Sequence, residues 1–130
     1  MPDYLLDSDV LIWCLRGRPD TVSFVESISS YSLPACSSLS VLEVELGMKK
    51  DEEKQTANLL DSLHVISVDR GIAGKAASCI RHYQTRGRHI DFVDAVIAAT
   101  CLRENRVLVT YNLKHYPMPE IRKQTPSEQE

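Results

Sequence analysis

Short apolar runs alternate along the chain with longer stretches in which apolar residues recur at helical spacing. The short runs predict four strands, at Tyr4–Asp7, Tyr31–Cys36, Val65–Val68 and Val107–Thr110. The longer stretches predict helices over about 10–15, 20–29, 40–48, 55–63, 70–85 and 92–104. Strands that alternate with helices favour a mostly parallel sheet covered by helices on both faces, so the pattern predicts an α/β fold.

Several polar residues mark the predicted limits of these elements. Ser40 and Glu43 form a Ser-x-x-Glu capping box, which predicts that the third helix begins at Ser40. Asp69 and Asp91 are suited to cap the two helices that follow them. Pro34 lacks a backbone N–H, which predicts that the second strand lies at a sheet edge or ends early.

The length and composition favour one compact domain. The chain has 130 residues, of which 43% are hydrophobic, enough for a single core. We expect residues 1–122 to form this domain. Residues 123–130 contain no apolar side chain, which predicts a disordered C-terminal tail.

Nothing in the sequence indicates a membrane or secreted protein. No run reaches the roughly 18 apolar residues of a membrane span. The start lacks the basic and apolar regions of a signal peptide, so we expect a cytoplasmic protein. The four cysteines are far apart, without metal-binding spacing, which favours reduced core residues over a disulfide framework.

The net charge of −3 argues against a generally basic nucleic-acid coat protein, but the charge is unevenly spread. Arg81, Arg86 and Arg88 lie just before an acidic segment that contains Asp91 and Asp94. Basic groups that flank an acidic centre suit a phosphodiester substrate. The alternative for each of these arginines is an ordinary solvated helix face.

Carboxylates occupy the positions where such a sheet forms its sites. Asp7 follows the first strand, Asn112 follows the fourth, and the pattern places Glu43 and Asp94 in the first turns of helices. In parallel sheets, sites form beyond the carboxyl ends of the strands, where the strand order reverses. Carboxylates about 4 Å apart repel by roughly 4 kcal/mol at an effective dielectric of about 20, and a divalent cation removes that repulsion. The arrangement predicts a metal-dependent nuclease.

Each of these residues also has a purely structural interpretation. Asp7 can cap the next helix, and the capping box alone accounts for Glu43. Asp94 is favourable near the positive end of a helix dipole, while Asn112 is a common turn residue. Their joint occurrence at one edge of the sheet is what favours a site.

Four segments, taken in order, resemble the motifs of the PIN-domain ribonucleases, in particular the VapC-type toxins of toxin–antitoxin pairs. Residues 5–11 (LLDSDVL) are similar to the opening motif, usually Asp-Thr-Asn or Asp-Thr-Ser. Residues 38–47 (SLSVLEVELG) resemble a Ser-x-Thr-x-x-Glu-Leu-x-x-Gly segment. Residues 94–100 (DAVIAAT) nearly reproduce Asp-Ala-Leu-Ile-Ala-Ala-Thr, and residues 108–116 (LVTYNLKHY) resemble Leu-Val-Thr-x-Asn-x-x-Asp-Phe. The resemblance extends from about residue 3 to 117.

The resemblance implies a three-layer α/β/α PIN-like domain with a mostly parallel central sheet of four to five strands. It also implies Mg²⁺ or Mn²⁺ dependence, an RNA substrate, a homodimer and inhibition by a small VapB-like antitoxin. The chain departs from the pattern at two positions. Asn112 stands where many relatives carry a fourth acidic residue, and His115 stands where Asp is usual, which puts a full second metal site in doubt.

The resemblance also implies roles for individual residues. Asp7, Glu43 and Asp94 are expected to hold one Mg²⁺ or Mn²⁺ through oxygen ligands, with Asn112 helping directly or through water. Further residues are expected to support the site by orienting these carboxylates or ordering a water molecule; they are Asp9, Ser8, Thr110 and Asp91. The position of Asp91 is more typical of a helix cap.

Two other functions remain open at this stage. A strand followed by Asp7-x-Asp9 also resembles the opening of haloacid-dehalogenase-type phosphatases, in which the first Asp is a nucleophile. That family needs a later Lys, a further acidic pair and a larger chain. The second alternative is a degenerate PIN fold that binds RNA or protein without cleaving it, which Asn112 and His115 favour.

Overall fold

A computed structural model describes residues 2–127, which form a five-stranded sheet and six α-helices. In chain order the elements are β1 (Tyr4–Leu6), α1 (Ser8–Leu15), α2 (Pro19–Ser29), β2 (Ala35–Ser37), α3 (Ser38–Gly47), α4 (Glu53–Asp61), β3 (His64–Ile66), α5 (Arg70–Gln84), α6 (Phe92–Glu104), β4 (Val107–Val109) and β5 (Lys123–Gln124). Two 3₁₀ turns, Lys50–Glu52 and Leu113–His115, precede α4 and follow β4.

The sheet is parallel throughout, with the strand order β3-β2-β1-β4-β5. From β1 the chain proceeds outward to β2 and β3, then returns to place β4 on the other side of β1. The strand order therefore reverses between β1 and β4, which pair with Leu6 opposite Val109. This reversal is where open parallel sheets form their sites. The predicted α/β class is confirmed, and the five strands agree with the four to five that the family resemblance implied, one more than the four apolar runs predicted.

Two apolar layers hold helices against the two faces of the sheet. Alternate strand side chains point to opposite faces, so Leu5 and Leu108 contribute to one layer, while Leu6 and Val109 contribute to the other. The first layer packs α5 and α6, and the second packs α1, α2, α3 and α4. The molecule is thus the three-layer α/β/α arrangement that the family resemblance implied.

The start of α3 differs from the prediction. The helix begins one turn earlier than the capping box suggested, because Ser37 is the N-cap and its hydroxyl accepts from the Leu39 N–H at 3.1 Å. Ser40 therefore lies inside the first turn and is fully buried. Glu43 follows in the second turn rather than the first. The predicted capping box between Ser40 and Glu43 is wrong, which removes the structural explanation for Glu43.

The second strand also differs from its prediction. Pro34 lies just before β2, and the strand is internal, between β3 and β1. Because Pro34 precedes the first residue of β2, its missing N–H removes no donor from the strand itself, and its carbonyl accepts from the His64 N–H at 2.9 Å.

The C-terminal segment is ordered further than its composition suggested. Lys123 and Gln124 form β5, so the prediction of a disordered tail from residue 123 is wrong for the residues that the structure describes. Backbone groups alone make this pairing, with Thr110 N–H donating to the Gln124 carbonyl at 3.0 Å. Further along, the Ser127 hydroxyl donates to Asp20. Residues 128–130 lie outside the described part.

Other local predictions are confirmed. Asp69 accepts from the Ile72 N–H and caps α5, and Asp91 accepts from the Val93 N–H and caps α6. The four cysteines are free, and Cys36 and Cys101 are buried in the core. Among the helices of residues 2–127, none is long and apolar enough to cross a membrane.

Candidate active site

Asp7 is the centre of a hydrogen-bonded cluster at the strand-order reversal. Its side chain is buried at the end of β1 and caps α1, because Oδ1 accepts from the Ser8 N–H at 2.8 Å. Its second oxygen, Oδ2, accepts from the Thr110 hydroxyl at 2.8 Å and from the Tyr116 hydroxyl at 2.8 Å. Thr110 directly follows β4, the strand paired with β1. The two strands at the reversal thus hold Asp7 from both sides.

Asp94 joins this cluster from the first turn of α6. Its Oδ1 lies 3.2 Å from the Tyr116 hydroxyl, so one phenol oxygen connects Asp94 with Asp7. Its Oδ2 lies 3.4 Å from Nδ1 of His115, an ion pair when the imidazole is protonated. The Asp94 side chain is therefore directed toward Tyr116 and His115.

Glu43 reaches the cluster from α3 through Ser8. The Ser8 hydroxyl lies 2.5 Å from Glu43 Oε1 and 2.9 Å from the Ser40 hydroxyl. Since Ser8 also donates its backbone N–H to Asp7, a single residue connects the carboxylates of Glu43 and Asp7. Ser8 and Thr110 thus both contact carboxylates of the cluster.

Asp9 and Asn112 form the open side of the site. Asp9 Oδ2 accepts from the Tyr111 backbone N–H at 2.9 Å and from the Asn112 side-chain amide at 3.1 Å. The Asn112 N–H in turn donates to the Thr110 hydroxyl at 3.0 Å. Among the described residues, Asp9 Oδ1 is a buried oxygen with no hydrogen-bond partner. An unpaired buried carboxylate oxygen is costly unless something binds it.

The electrostatics of the site are those of crowded negative charge. Burial and then the Asp7 charge raise the pKa of Asp9 to about 6, and the same two causes raise the pKa of Asp94 to about 6. Burial and the adjacent carboxylates raise the pKa of Tyr116, so its phenol stays protonated and can donate. Within residues 2–127 no lysine or arginine forms an ion pair with Asp7, Asp9 or Asp94.

The donor chemistry fits a hard divalent cation. The side chains that converge here offer carboxylate, amide and hydroxyl oxygens, which suit Mg²⁺ or Mn²⁺. The unpaired buried oxygen of Asp9 fits such a cation, because a buried carboxylate oxygen without a partner is costly unless something binds it. As arranged, however, no three Asp, Glu, His or Cys side chains in the described part surround a common point. Each of the three carboxylates instead accepts a hydrogen bond from a neighbouring donor, which is Ser8, Thr110 or Tyr116.

The remaining predicted residues lie outside this cluster. Asp91 is exposed and caps α6. Arg81 is exposed on α5, and Arg86 folds back so that its guanidinium donates to the His82 carbonyl at 3.1 Å. Arg88 alone contacts the site's surroundings, because its guanidinium donates at 2.5 Å to the carbonyl of Lys114, the neighbour of His115. Of these three arginines, Arg88 is therefore the one that contacts the turn beside the acidic centre.

The sequence interpretation gave no role to Tyr116. The side chain is fully buried, and its hydroxyl touches the two central carboxylates. The available signal was its place at the end of the last motif, where the resembling family has Phe. A hydroxyl added to an otherwise apolar position indicates a polar contact, but the sequence alone does not identify the partner.

The chain matches the family model described as "PIN domain" over residues 4–120. Ribonuclease VapC10 of Mycobacterium tuberculosis is 34% identical to it over 116 residues, which cover 89% of this chain and 87% of that protein. Ribonuclease VapC19 of the same organism is 30% identical over 115 residues, 88% of this chain and 92% of that protein. The motif resemblance found in the sequence is confirmed by these matches.

Solved structures share the fold. A toxin–antitoxin complex from Klebsiella pneumoniae contains a chain that is 25% identical, with a TM-score of 0.78 and coverage of 98% of this chain and 100% of that one. VapBC2 from Rickettsia felis, bound to a DNA fragment from its promoter, contains a chain with a TM-score of 0.82 at 23% identity, covering 94% of this chain and 97% of that one.

Proposed function

The chain belongs to the PIN-domain family, and we therefore propose that it is a metal-dependent endoribonuclease that acts as the toxin of a toxin–antitoxin pair. Relatives that match it over most of its length are named ribonucleases, and a chain of the same fold forms a toxin–antitoxin complex. The observation that carries the proposal is the cluster of Asp7, Asp9 and Asp94 at the strand-order reversal, where no lysine or arginine in the described part neutralises them.

The metal ligands we propose are Asp7, Glu43 and Asp94, with Asn112 as an additional oxygen donor. All four come from different elements, so only the folded chain brings them to one side of the sheet. When bound, Mg²⁺ or Mn²⁺ supplies Lewis-acid chemistry that makes water a better nucleophile and offsets charge developing on a phosphodiester.

The protein's own contribution is orientation. Thr110 and Ser8 donate to Asp7 and hold that carboxylate in place. Ser8 also contacts Glu43, which limits the directions in which Glu43 can turn. Asp9 has an unpaired Oδ1, which is suited to accept a hydrogen bond from a water molecule and so orient it. Asn112 in place of an acidic residue reduces the charge here, which favours one metal ion over two.

RNA as substrate fits the surroundings of the site. Arg88 lies beside the turn that carries His115. Arg81 is exposed near the end of α5, the helix that precedes Arg88 in the chain. Lysine and arginine side chains near a phosphodiester supply the sequence-independent part of its binding. We place the activity in the cytoplasm, where RNA is available.

The proposal includes two protein partners. One is a small VapB-like antitoxin that inhibits the enzyme, supported by the toxin–antitoxin complexes that share its fold. The other is a second copy of this chain. Large apolar side chains exposed on the surface are consistent with such contacts, among them Leu42 and Leu46 of α3 and Phe92 at the start of α6.

Cleavage of a total small-RNA pool by the purified, antitoxin-free protein tests the proposal. Wild type and Asp94→Asn are compared in Mg²⁺, in Mn²⁺ and in EDTA. We expect discrete fragments from wild type that require the metal and disappear in the variant, because the loss of one ligand removes several kcal/mol of transition-state stabilisation. Equal cleavage by folded Asp94→Asn would contradict the assigned site.

Metal binding by wild type without any turnover would instead favour the degenerate binding module. Asn112 and the exposed His115 are the observations that support this second possibility. A covalent phosphate on Asp7 would revive the phosphatase alternative.

A further inference from the structure

We propose that the Tyr116 hydroxyl is a positioning group that fixes Asp7 and Asp94 relative to each other and thereby sets the affinity of the site for a divalent cation. The inference rests on the proposed function, since it concerns the same acidic cluster. Tyr116 is not itself a metal ligand or a catalytic residue in this account. It acts through the two carboxylates that it contacts.

The geometry around the hydroxyl is specific. The oxygen lies 2.8 Å from Asp7 Oδ2 and 3.2 Å from Asp94 Oδ1. A phenol has one proton and donates it to one of the two carboxylates at a time, and the shorter contact is the one to Asp7. The same oxygen thus contacts both carboxylates and links the one that follows β1 to the one in the first turn of α6. The hydroxyl therefore sets the spacing of two carboxylates that come from β1 and α6.

The ring that carries this hydroxyl is held independently of the site. Tyr116 has no exposed surface and packs in the apolar layer under α5 and α6, with Met118 and Ile121. A hydroxyl on a ring fixed in this way has little freedom to follow the carboxylates. They must instead adjust to it.

The backbone of the same turn is held by two cations. Lys123 of β5 donates its ammonium to the Leu113 carbonyl at 3.0 Å and to the Tyr116 carbonyl at 2.5 Å. Arg88 donates to the Lys114 carbonyl between them. The edge strand that composition did not predict thus has a function in this arrangement, because it brings Lys123 to the turn that positions Tyr116.

The expected consequence is an effect on metal binding. Hydrogen bonds to metal-ligating side chains fix their orientation, and their loss typically costs 10–100-fold in metal affinity or activity. Removing the Tyr116 hydroxyl leaves Asp7 Oδ2 with Thr110 alone and leaves Asp94 Oδ1 without its phenol contact. Both carboxylates then have additional orientations, most of which do not suit a shared ion.

The test is a Mn²⁺ titration of the full-length protein, followed by calorimetry or by the signal of free Mn²⁺ in electron paramagnetic resonance. Wild type is compared with Tyr116→Phe, which keeps the ring, and with Tyr83→Phe, which deletes the same group on α5 away from the site. We expect the Mn²⁺ Kd to rise about 10-fold in Tyr116→Phe and to change less than about 2-fold in Tyr83→Phe. For RNA cleavage at saturating Mn²⁺, we expect kcat to fall while KM changes little.

Other outcomes overturn the inference in distinguishable ways. A Mn²⁺ Kd in Tyr116→Phe equal to that of wild type, with a lower Tm, would show that the hydroxyl is only structural, while the proposed nuclease would stand if wild type cleaves RNA. Wild type that binds no Mn²⁺ at all would overturn both this inference and the metal-dependent function.

Discussion

Two regions of the molecule place an aspartate at the start of a helix but treat its charge in opposite ways. At the start of α5, Asp69 caps the helix and receives Arg103, whose guanidinium contacts its two oxygens at 2.5 Å. The hydrogen bond from Arg103 holds the pKa of Asp69 below its usual value. At the start of α1, Asp7 also caps a helix but lies among other carboxylates, and the pKa of Asp94 is raised to about 6.

These two aspartates therefore differ in the partners of their carboxylates and not in their local helix-capping geometry. A paired surface aspartate is complete without a ligand. The cluster around Asp7 is buried, negative and unpaired by lysine or arginine within the described part of the chain. A protein maintains such an arrangement at a cost in stability, which is typical of binding and catalytic sites.

The largest effect expected from this contrast is stabilisation by metal. A ligand that binds only the folded state stabilises it by about 2.7 kcal/mol at 100 times its Kd. For a chain of this size, that corresponds to a rise in Tm of roughly 10 °C. Thermal unfolding in EDTA and in excess Mn²⁺ measures the shift. We expect Asp69→Asn to keep this metal-induced rise in Tm and Asp94→Asn to lose most of it. A full rise in Tm in Asp94→Asn would contradict the proposed difference between the two aspartates.

The pH dependence of the metal-free protein should sharpen the comparison further. Because the pKa of Asp94 is raised in the folded state, the folded protein binds more protons than the unfolded chain between about pH 4 and 6, so stability falls as the pH rises through that range. Asp94→Asn has no carboxyl group at this position, so the contribution of Asp94 to this fall in stability is absent from the variant. We expect the variant to be more stable than wild type at pH 7.5 by about 1–2 kcal/mol, allowing for partial solvent screening, and the difference to shrink at pH 5.

Asp69→Asn should be less stable than wild type at pH 7.5, which is the opposite of the change expected for Asp94→Asn. The pKa of Asp69 is lowered, so its pairing stabilises the folded state above its unfolded pKa and is lost on acidification. Urea unfolding of the three proteins in EDTA at both pH values measures these differences. A variant Asp94→Asn that is less stable than wild type at pH 7.5 would contradict the unfavourable charge assigned to the site.

The smallest expected effect concerns the basic residues outside the acidic cluster. Arg88 contacts the turn beside the site, whereas Arg86 folds back on its own helix end. We expect Arg88→Ala to raise KM for RNA by roughly 3-fold and to reduce the slope of log(kcat/KM) against log[salt] by about 1, as for one lost phosphate contact. Arg86→Ala serves as the control. Equal slopes in both variants would exclude Arg88 from the RNA-binding surface.

Much of the fold follows from the sequence because it depends on local pattern. Apolar runs of strand length between helical stretches were sufficient to predict a parallel sheet covered on both faces. That topology then placed Asp7 and Asn112 at the carboxyl ends of strands. The caps at Asp69 and Asp91 were also correct, since one side chain and a nearby backbone N–H define them.

The errors arose where long-range contacts decide between local alternatives. Ser37 and Ser40 are both suitable N-caps, and the pairing of β2 between two strands determines which one is used. The polar pair Lys123–Gln124 forms a strand because backbone hydrogen bonds to β4 do not depend on apolar side chains. Tyr116 was overlooked because its partners are 109 and 22 residues away in the sequence.

The most direct test of the account is RNA cleavage by two matched variants, Asp7→Asn and Asp69→Asn. Both replace an aspartate N-cap with asparagine, which caps helices equally well, so both should fold. We expect Asp7→Asn to lose about 1,000-fold or more in cleavage rate, as the loss of several kcal/mol of transition-state stabilisation implies. Asp69→Asn should cleave within about 2-fold of wild type. Undiminished cleavage by folded Asp7→Asn, or equal losses in the two variants, would contradict the assignment of the active site to the unpaired acidic cluster.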